Sequence, residues 1–353
     1  MVYRKRRGMT LPYLTTSVDP IEAEFRSTPE DFQVEEVPSY PPSGTGDHIF
    51  AFIEKRELTT KEAVRALCES VGADPKAAGW AGLKDRHAIT RQWISVWGTT
   101  PEALTDAKVA GIRVLEAAPH SQKLRTGHLE ANRFHIVLRH MDPSRIEDLR
   151  RVLEEIETRG LPNYYGEQRF GREGDNAERA LRWVLGEARA PQSGFQRKLQ
   201  MSALQSQLFN RCVAERVQTS TLGQIFEGDV VKKHHSGGLF TATDLQETQA
   251  RADAWELSPT GPMFGAKMRW PEGEARLREE ALLREVGLTL EQLGKWKRVA
   301  PGTRRFARIP VPQIGVTVSD NTVDLDFTLP PGSYATILVR EILKRDAHPP
   351  KTG

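Results

Sequence analysis

The stretch of this 353-residue chain best equipped for chemistry is Ala81-Gly82-Leu83-Lys84-Asp85-Arg86-His87-Ala88-Ile89-Thr90-Arg91-Gln92-Trp93, where a glycine-bearing turn sets one acid between two bases ahead of a strand pattern. A carboxylate so placed can act as a nucleophile or a base, because nearby cations favour its charged form against the desolvation of a closed pocket. The same residues also make a plain turn, with Asp85 only balancing Lys84 and Arg86, and spacing does not choose between the two. Other chemistries lack their signatures. Gly44-Thr45-Gly46 has neither the third glycine nor the following helix of a dinucleotide site, and Gly79-Trp80-Ala81-Gly82-Leu83-Lys84 fails Walker spacing. No HExxH pair occurs, although His234 and His235 are adjacent. Cys68 and Cys212 lie outside any CxxC spacing and read as core thiols. There is no GxSxG elbow for a serine nucleophile. No metal and no cofactor are expected.

The charge pattern points to a polyanion. The net charge is only +3, from 50 Lys plus Arg against 47 Asp plus Glu, so its distribution carries the argument. Between Gln292 and Pro310 lie Lys295, Lys297, Arg298, Arg304, Arg305 and Arg308 with no acid, and Trp296 and Phe306 stand among them. Arg4-Lys5-Arg6-Arg7 and the Lys123 to His140 stretch, with Lys123, Arg125, Arg133 and Arg139, add two more basic islands. Each alone reads as a solvated face; three beside aromatic residues favour RNA, with Lys297, Arg298, Arg304 and Arg305 the expected contacts. The hydrophobic fraction of 38% excludes disorder throughout. No apolar run approaches the roughly 18 residues of a membrane span and no signal peptide is recognisable, so a cytoplasmic protein is expected.

Elements that would position Asp85 follow from periodicity. Thr59-Thr60-Lys61-Glu62 forms a capping box, and Val64, Leu67, Cys68 and Val71 recur at helical spacing until Gly72. His48 to Ile53, the alternation Gln92, Ile94, Val96, and the alternation Phe134, Ile136, Leu138 predict strands. Asp142-Pro143 opens a helix with Ile146, Leu149, Leu153 and Ile156 on one face, ended by Gly160. Helices are predicted over Asn176 to Glu187, Leu199 to Val217 and Tyr334 to Lys344. Short strands are predicted near Gly228 to Val231 and Leu239 to Ala242, and a strand pair over Arg308 to Val318 and Thr322 to Thr328. A sheet begun before residue 140 and resumed after 308 predicts an α+β fold: a catalytic domain of residues 1–160 plus 308–353 with a mixed or antiparallel sheet, interrupted by a helix-rich inserted domain over 161–307.

Six segments in order resemble the motifs of the TruD family of tRNA pseudouridine synthases. They are the Asp85 segment; Pro29-Glu30-Asp31-Phe32; Asn132-Arg133-Phe134; Pro162-Asn163-Tyr164-Tyr165-Gly166-Glu167-Gln168-Arg169-Phe170-Gly171; Ser202-Ala203 with Ser206, Leu208, Phe209 and Asn210; and Gly332-Ser333-Tyr334-Ala335-Thr336. The resemblance spans residues 26 to 342. It implies a cofactor-free isomerisation of a uridine in tRNA, at position 13 of the D arm (U13), with Asp85 as the catalytic carboxylate. It further implies that Arg26 pairs with Asp85, with Lys84 as second choice. Phe32, Phe134 and Tyr334 would line the pocket, where stacking lets a base turn, and Asn132 would bond a polar neighbour. Phe134 also fits core packing, and Tyr334 replaces the commoner phenylalanine, adding a hydroxyl that needs a partner if buried. The inserted domain would grip the tRNA, and a monomer is the favoured state.

Two rivals keep part of this pattern. A non-catalytic tRNA-binding protein or RNA chaperone would use the basic and aromatic surface while Asp85 stays structural. A nucleoside or glycoside hydrolase would need a second carboxylate, for which Glu30, Asp31, Glu35 and Glu36 are available in sequence.

Overall fold

The computed structural model describes residues 10–171 and 173–345. Along the chain come β1 (Glu24–Phe25), β2 (Phe32–Pro38), β3 (His48–Arg56), α1 (Thr60–Ser70), β4 (Gly79–Trp80), β5 (Ile89–Trp97), α2 (Pro101–Asp106), β6 (Ile112–His120), β7 (Leu129–Arg139) and α3 (Ile146–Arg159). Next are β8 (Leu161–Pro162), α4 (Asn176–Val184), α5 (Gly194–Gln218), β9 (Val230–Lys233), β10 (Leu239–Thr241), α6 (Leu245–Asp253), β11 (Leu257–Met263), α7 (Gly273–Glu285), α8 (Leu290–Gly294) and β12 (Thr303–Phe306). The chain closes with β13 (Arg308–Ile309), β14 (Gly315–Ser319), β15 (Thr322–Leu329) and α9 (Ala335–Leu343). The fold is α+β, as the strand and helix pattern predicts.

The described residues divide into two compact units, one of 20–153, 311–335 and 342–345, the other of 10–19, 154–171, 173–310 and 336–341. The first is built on a mixed sheet ordered β14-β15-β7-β2-β5-β3-β6, with β1 added to β7 and β4 to β5. Only the β2–β5 pairing in it is parallel, among the described residues. Cross-strand partners project to one face, and the register makes Lys55, Thr90, Val34 and Phe134 successive neighbours across β3, β5, β2 and β7. Stepping two residues along each strand places Gln92, Glu36 and Asn132 on that face too.

Apolar packing fixes this face. Ile49, Ala51 and Ile53 of β3 and Ile94 and Val96 of β5 form one buried cluster with Ala63, Val64, Leu67 and Cys68 of α1. Leu67 is fully buried, so its loss to alanine would cost about 2–5 kcal/mol. The capping box holds the start of α1: Glu62 N donates to Thr59 Oγ1 and Thr59 N to the Glu62 carboxylate. β4 lies so close to Leu124 that a Cβ at Gly79 would stand 2.2 Å from its carbonyl oxygen, which restricts that position to glycine. The turn bearing Asp85 leaves directly from this strand.

The second unit carries the sheet β10-β9-β11-β12 and the pair β13-β8. Its core joins Trp183 of α4, Met201, Leu204 and Leu208 of α5, Phe264, and Leu282 and Leu283 of α7. Residues 10–19 belong with it because the Glu341 carboxylate accepts from Leu14 N, Thr15 N and Thr15 Oγ1 at 2.9, 3.1 and 3.0 Å. The strand predicted over Arg308 to Val318 is broken into β13 and β14, since Pro310 and Pro312 lack the N–H that a continuous ladder needs.

Candidate active site

Arg26 follows β1 with a φ of 60°, a left-handed conformation that costs a non-glycine residue about 1–2 kcal/mol. Its guanidinium lies 3.6 Å from the centre of the Phe32 ring and 5.2 Å from that of Phe25, within cation–π range. Arg26 is buried, and its Nε and Nη2 have no hydrogen-bond partner among the described residues. Burial pulls its pKa down, and the charge of Asp85 opposes that shift. Arg26 Nη2 stands 3.6 Å from Asp85 Oδ2, an ion-pair separation too long for a hydrogen bond. The Asp85 side chain is 34% exposed against 6% for Arg26. The carboxylate therefore meets protein charge on one side while remaining open to solvent.

The other expected residues divide. Lys84, the second choice for pairing with Asp85, instead donates from Nζ to Glu36 Oε2 at 2.7 Å and to Asn132 Oδ1 at 2.8 Å. Its side chain is only 5% exposed, so its ammonium sits in a buried clasp with Glu36 and Asn132. Glu36 also accepts from Trp93 N. Burial pushes the Glu36 carboxyl up from its usual range, and Lys84 is the main opposing influence. Asn132 bonds a polar neighbour, and that neighbour is Lys84. Phe32 and Phe134 are buried with ring centres 6.0 Å apart, and Phe134 stacks on Phe327 at 5.5 Å. Of these rings Phe32 lies under the Arg26 guanidinium, and Phe134 packs against Phe32. Tyr334, just before α9, is half-buried.

Main-chain tethers hold the turn. Lys84 N donates to Thr60 Oγ1 at 2.9 Å, Thr60 Oγ1 donates to Gln92 Oε1, and Gln92 Nε2 donates to Gly82 O. Lys55, absent from the residues picked out by sequence, is fully buried and donates from Nζ to Asp85 O at 2.7 Å and Leu58 O at 2.6 Å. Burial lowers its pKa to about 8. The signal was present: Ile49, Ala51, Ile53 and Lys55 share one parity of β3, so the alternation points the lysine inward.

The basic island of the second unit is smaller than composition suggests. Lys297 and Arg298 are exposed. Arg304 is corrected out of an RNA-facing patch: its side chain is 1% exposed and grips the buried Glu279 carboxylate with two bonds of 2.7 Å. Burial raises the pKa of Glu279, and Arg304 opposes that most strongly. Arg305 is half-buried, donates to Asn163 O and Oδ1, and lies 4.1 Å over the Tyr165 ring. The Arg4 to Arg7 run lies outside the described residues. Among the described residues no cluster of three or more His, Cys, Asp or Glu could hold a metal ion, and no helix is long and apolar enough to cross a membrane.

Sheet and site together define an α+β protein with one part-exposed carboxylate set against a buried guanidinium that rests on the Phe32 ring. The family model described as tRNA pseudouridine synthase D (TruD) matches residues 8–188 and 192–342. The tRNA pseudouridine synthase D of Anaeromyxobacter sp. strain Fw109-5 is 42% identical over 348 residues, covering 96% of this chain and 98% of that protein. A tRNA pseudouridine synthase D from Thermus thermophilus is 40% identical over 348 residues, covering 98% and 95%. A solved Methanosarcina mazei chain described under the name TruD shares the fold with a TM-score of 0.76 at 21% identity, over 95% of this chain and 96% of that one. The chain belongs to the TruD family of tRNA pseudouridine synthases.

Proposed function

We propose that the protein converts a uridine of tRNA to pseudouridine with Asp85 as the catalytic carboxylate. The observation that carries this reading is the Asp85–Arg26 pair: a carboxylate open on one side and faced on the other by a buried cation. In the reaction the N1–C1′ bond breaks, the base turns while bound, and C5 bonds to C1′. C5 gives up its proton and N1 gains one, so the RNA mass is unchanged. Asp85 acts at the sugar or at C6, as nucleophile or base. Arg26 holds the carboxylate and keeps the N–H groups of Nε and Nη2 for it or for substrate oxygen, since catalytic bonds that are long in the free enzyme tighten in the complex. Phe32, backed by Phe134, supports Arg26, and Tyr334 supplies the ring on which the base stacks.

A uridine inside a folded arm must be unstacked before Asp85 reaches it, at a cost of about a few kcal/mol. We assign U13 of the D arm as the target on the strength of the six ordered motifs. Residues 161–307 act as the inserted domain that grips the tRNA, with Lys297 and Arg298 on its backbone, and the enzyme works as a cytoplasmic monomer. Incubating the protein with unmodified tRNA tests the reading. Pseudouridine at unchanged RNA mass is the expected product. Free uracil would make the protein a hydrolase, and binding without either product would leave the RNA-chaperone reading.

A further inference from the structure

Asp85 sits in an irregular turn, and beside the Arg26 guanidinium that faces its carboxylate, its main chain is also held. Two groups hold that stretch of backbone: Thr60 Oγ1 accepts from the preceding Lys84 N, and Lys55 Nζ donates to the carbonyl of Asp85 itself. Lys55 is the unusual partner. It is a fully buried lysine on a strand whose same-face neighbours, Ile49, Ala51 and Ile53, are core residues. An ammonium in such a place loses hydration and regains only what its bonds return. Its bonds go to Leu58 O and Asp85 O, joining the end of β3 and the lead into α1 to the catalytic turn. An aliphatic residue would fill the same volume without the desolvation cost, so core packing does not account for a lysine.

We propose that Lys55 is a positioning residue for the isomerisation, its ammonium clamping the main-chain carbonyl of Asp85 so that the carboxylate meets the ribose in register. This rests on the assignment of Asp85 as the catalytic carboxylate. Lys55 acts through Asp85 and does not touch the substrate. Misplacing a catalytic group by about 1 Å costs about 100-fold in rate, which sets the size of the effect.

The test uses the full chain in steady-state assays over a range of tRNA concentrations, with rates expressed per folded molecule from calorimetry. Lys55→Met keeps an unbranched side chain, one atom shorter, and removes every donor; its rate at saturating tRNA falls about 100-fold while the KM for tRNA stays within about twofold. Lys55→Gln is also one atom shorter but keeps N–H donors, which cannot span both carbonyls, so its rate lies between the two, about tenfold below wild type. Wild-type rate in folded Lys55→Met overturns the proposal, as does a loss carried entirely by KM. Should Lys55→Met not fold, Lys55→Gln decides: an unchanged rate overturns the clamp and a fall of about tenfold supports it. Asp85→Asn run in parallel separates the two levels. An active Asp85→Asn removes the catalytic assignment itself, whereas an inactive Asp85→Asn beside an active Lys55→Met removes only the role of Lys55.

Discussion

Replacing Lys84 by methionine isolates the clasp behind the turn that carries Asp85. The ammonium lies 2.7 Å from Glu36 Oε2, with the two side chains 5% and 0% exposed, so solvent screens the pair little. At an effective dielectric of about 20 the attraction at that distance is about 6 kcal/mol, and desolvation offsets part of it. Removing one partner of such a pair costs about 3–5 kcal/mol, because the other charge is left buried. At about 2–4 °C per kcal/mol, the melting temperature falls by about 6–20 °C. Glu36 has a second route, which is to take up a proton. Its folded pKa already lies above the ordinary value, with Lys84 as the main opposition, so in the variant it rises further. Folded Glu36 then holds a proton that unfolded Glu36 has lost, and stability is present at low pH and lost as pH rises through the folded pKa. Urea denaturation of Lys84→Met should therefore show higher stability at pH 5 than at pH 7.5, by more than any such difference in wild type. Adding Glu36→Gln removes the stranded charge and should recover all but about 1–2 kcal/mol. A Lys84→Met protein as stable as wild type, or one that strengthens as pH rises across this window, would refute the buried clasp.

Other expectations separate structural from functional cations. Arg304→Ala should cost about 3–5 kcal/mol in chemical denaturation, because Glu279 is left buried and unpaired, while the salt dependence of tRNA binding by the folded protein stays unchanged. Neutralising Lys297 and Arg298 together should do the reverse, leaving stability unaltered and lowering the slope of log affinity against log salt by about 2. For Lys55, whose pKa drops from 10.5 to about 8, the unfolded chain holds a proton between those values that the folded chain has released. Wild-type stability relative to Lys55→Met should then climb by about 3 kcal/mol between pH 7 and pH 10.5. A flat difference in urea midpoints would contradict that.

How much of this was legible in the sequence depended on whether the signal was local. The capping box at Thr59 and Glu62, the apolar run of β3, the alternation through β5 and β7, and the apolar face of α1 each lie within a few residues, and each appears in the fold. Asp85 and Arg26 stood out through ordered motifs, and the structure brings them together across 59 positions of chain. Lys84 was read as a neighbour of Asp85 because it is adjacent in sequence. Side chains of successive residues diverge, and its ammonium finds Glu36, 48 positions away. Counting charge between Gln292 and Pro310 could not reveal that alternation along β12 turns Arg304 inward while Lys297 and Arg298 stay outside. Leu257–Met263 gave no strand signal, since two prolines and a glycine interrupt it, yet every residue of β11 is buried.

The most direct trial of the account is pseudouridine formation by Asp85→Asn, a substitution that keeps the size of the side chain and removes its charge and basicity. With tRNA held above its dissociation constant, no pseudouridine should form, while affinity for tRNA stays within a few-fold of wild type. Pseudouridine appearing at the wild-type rate would show that the chemistry belongs to another group.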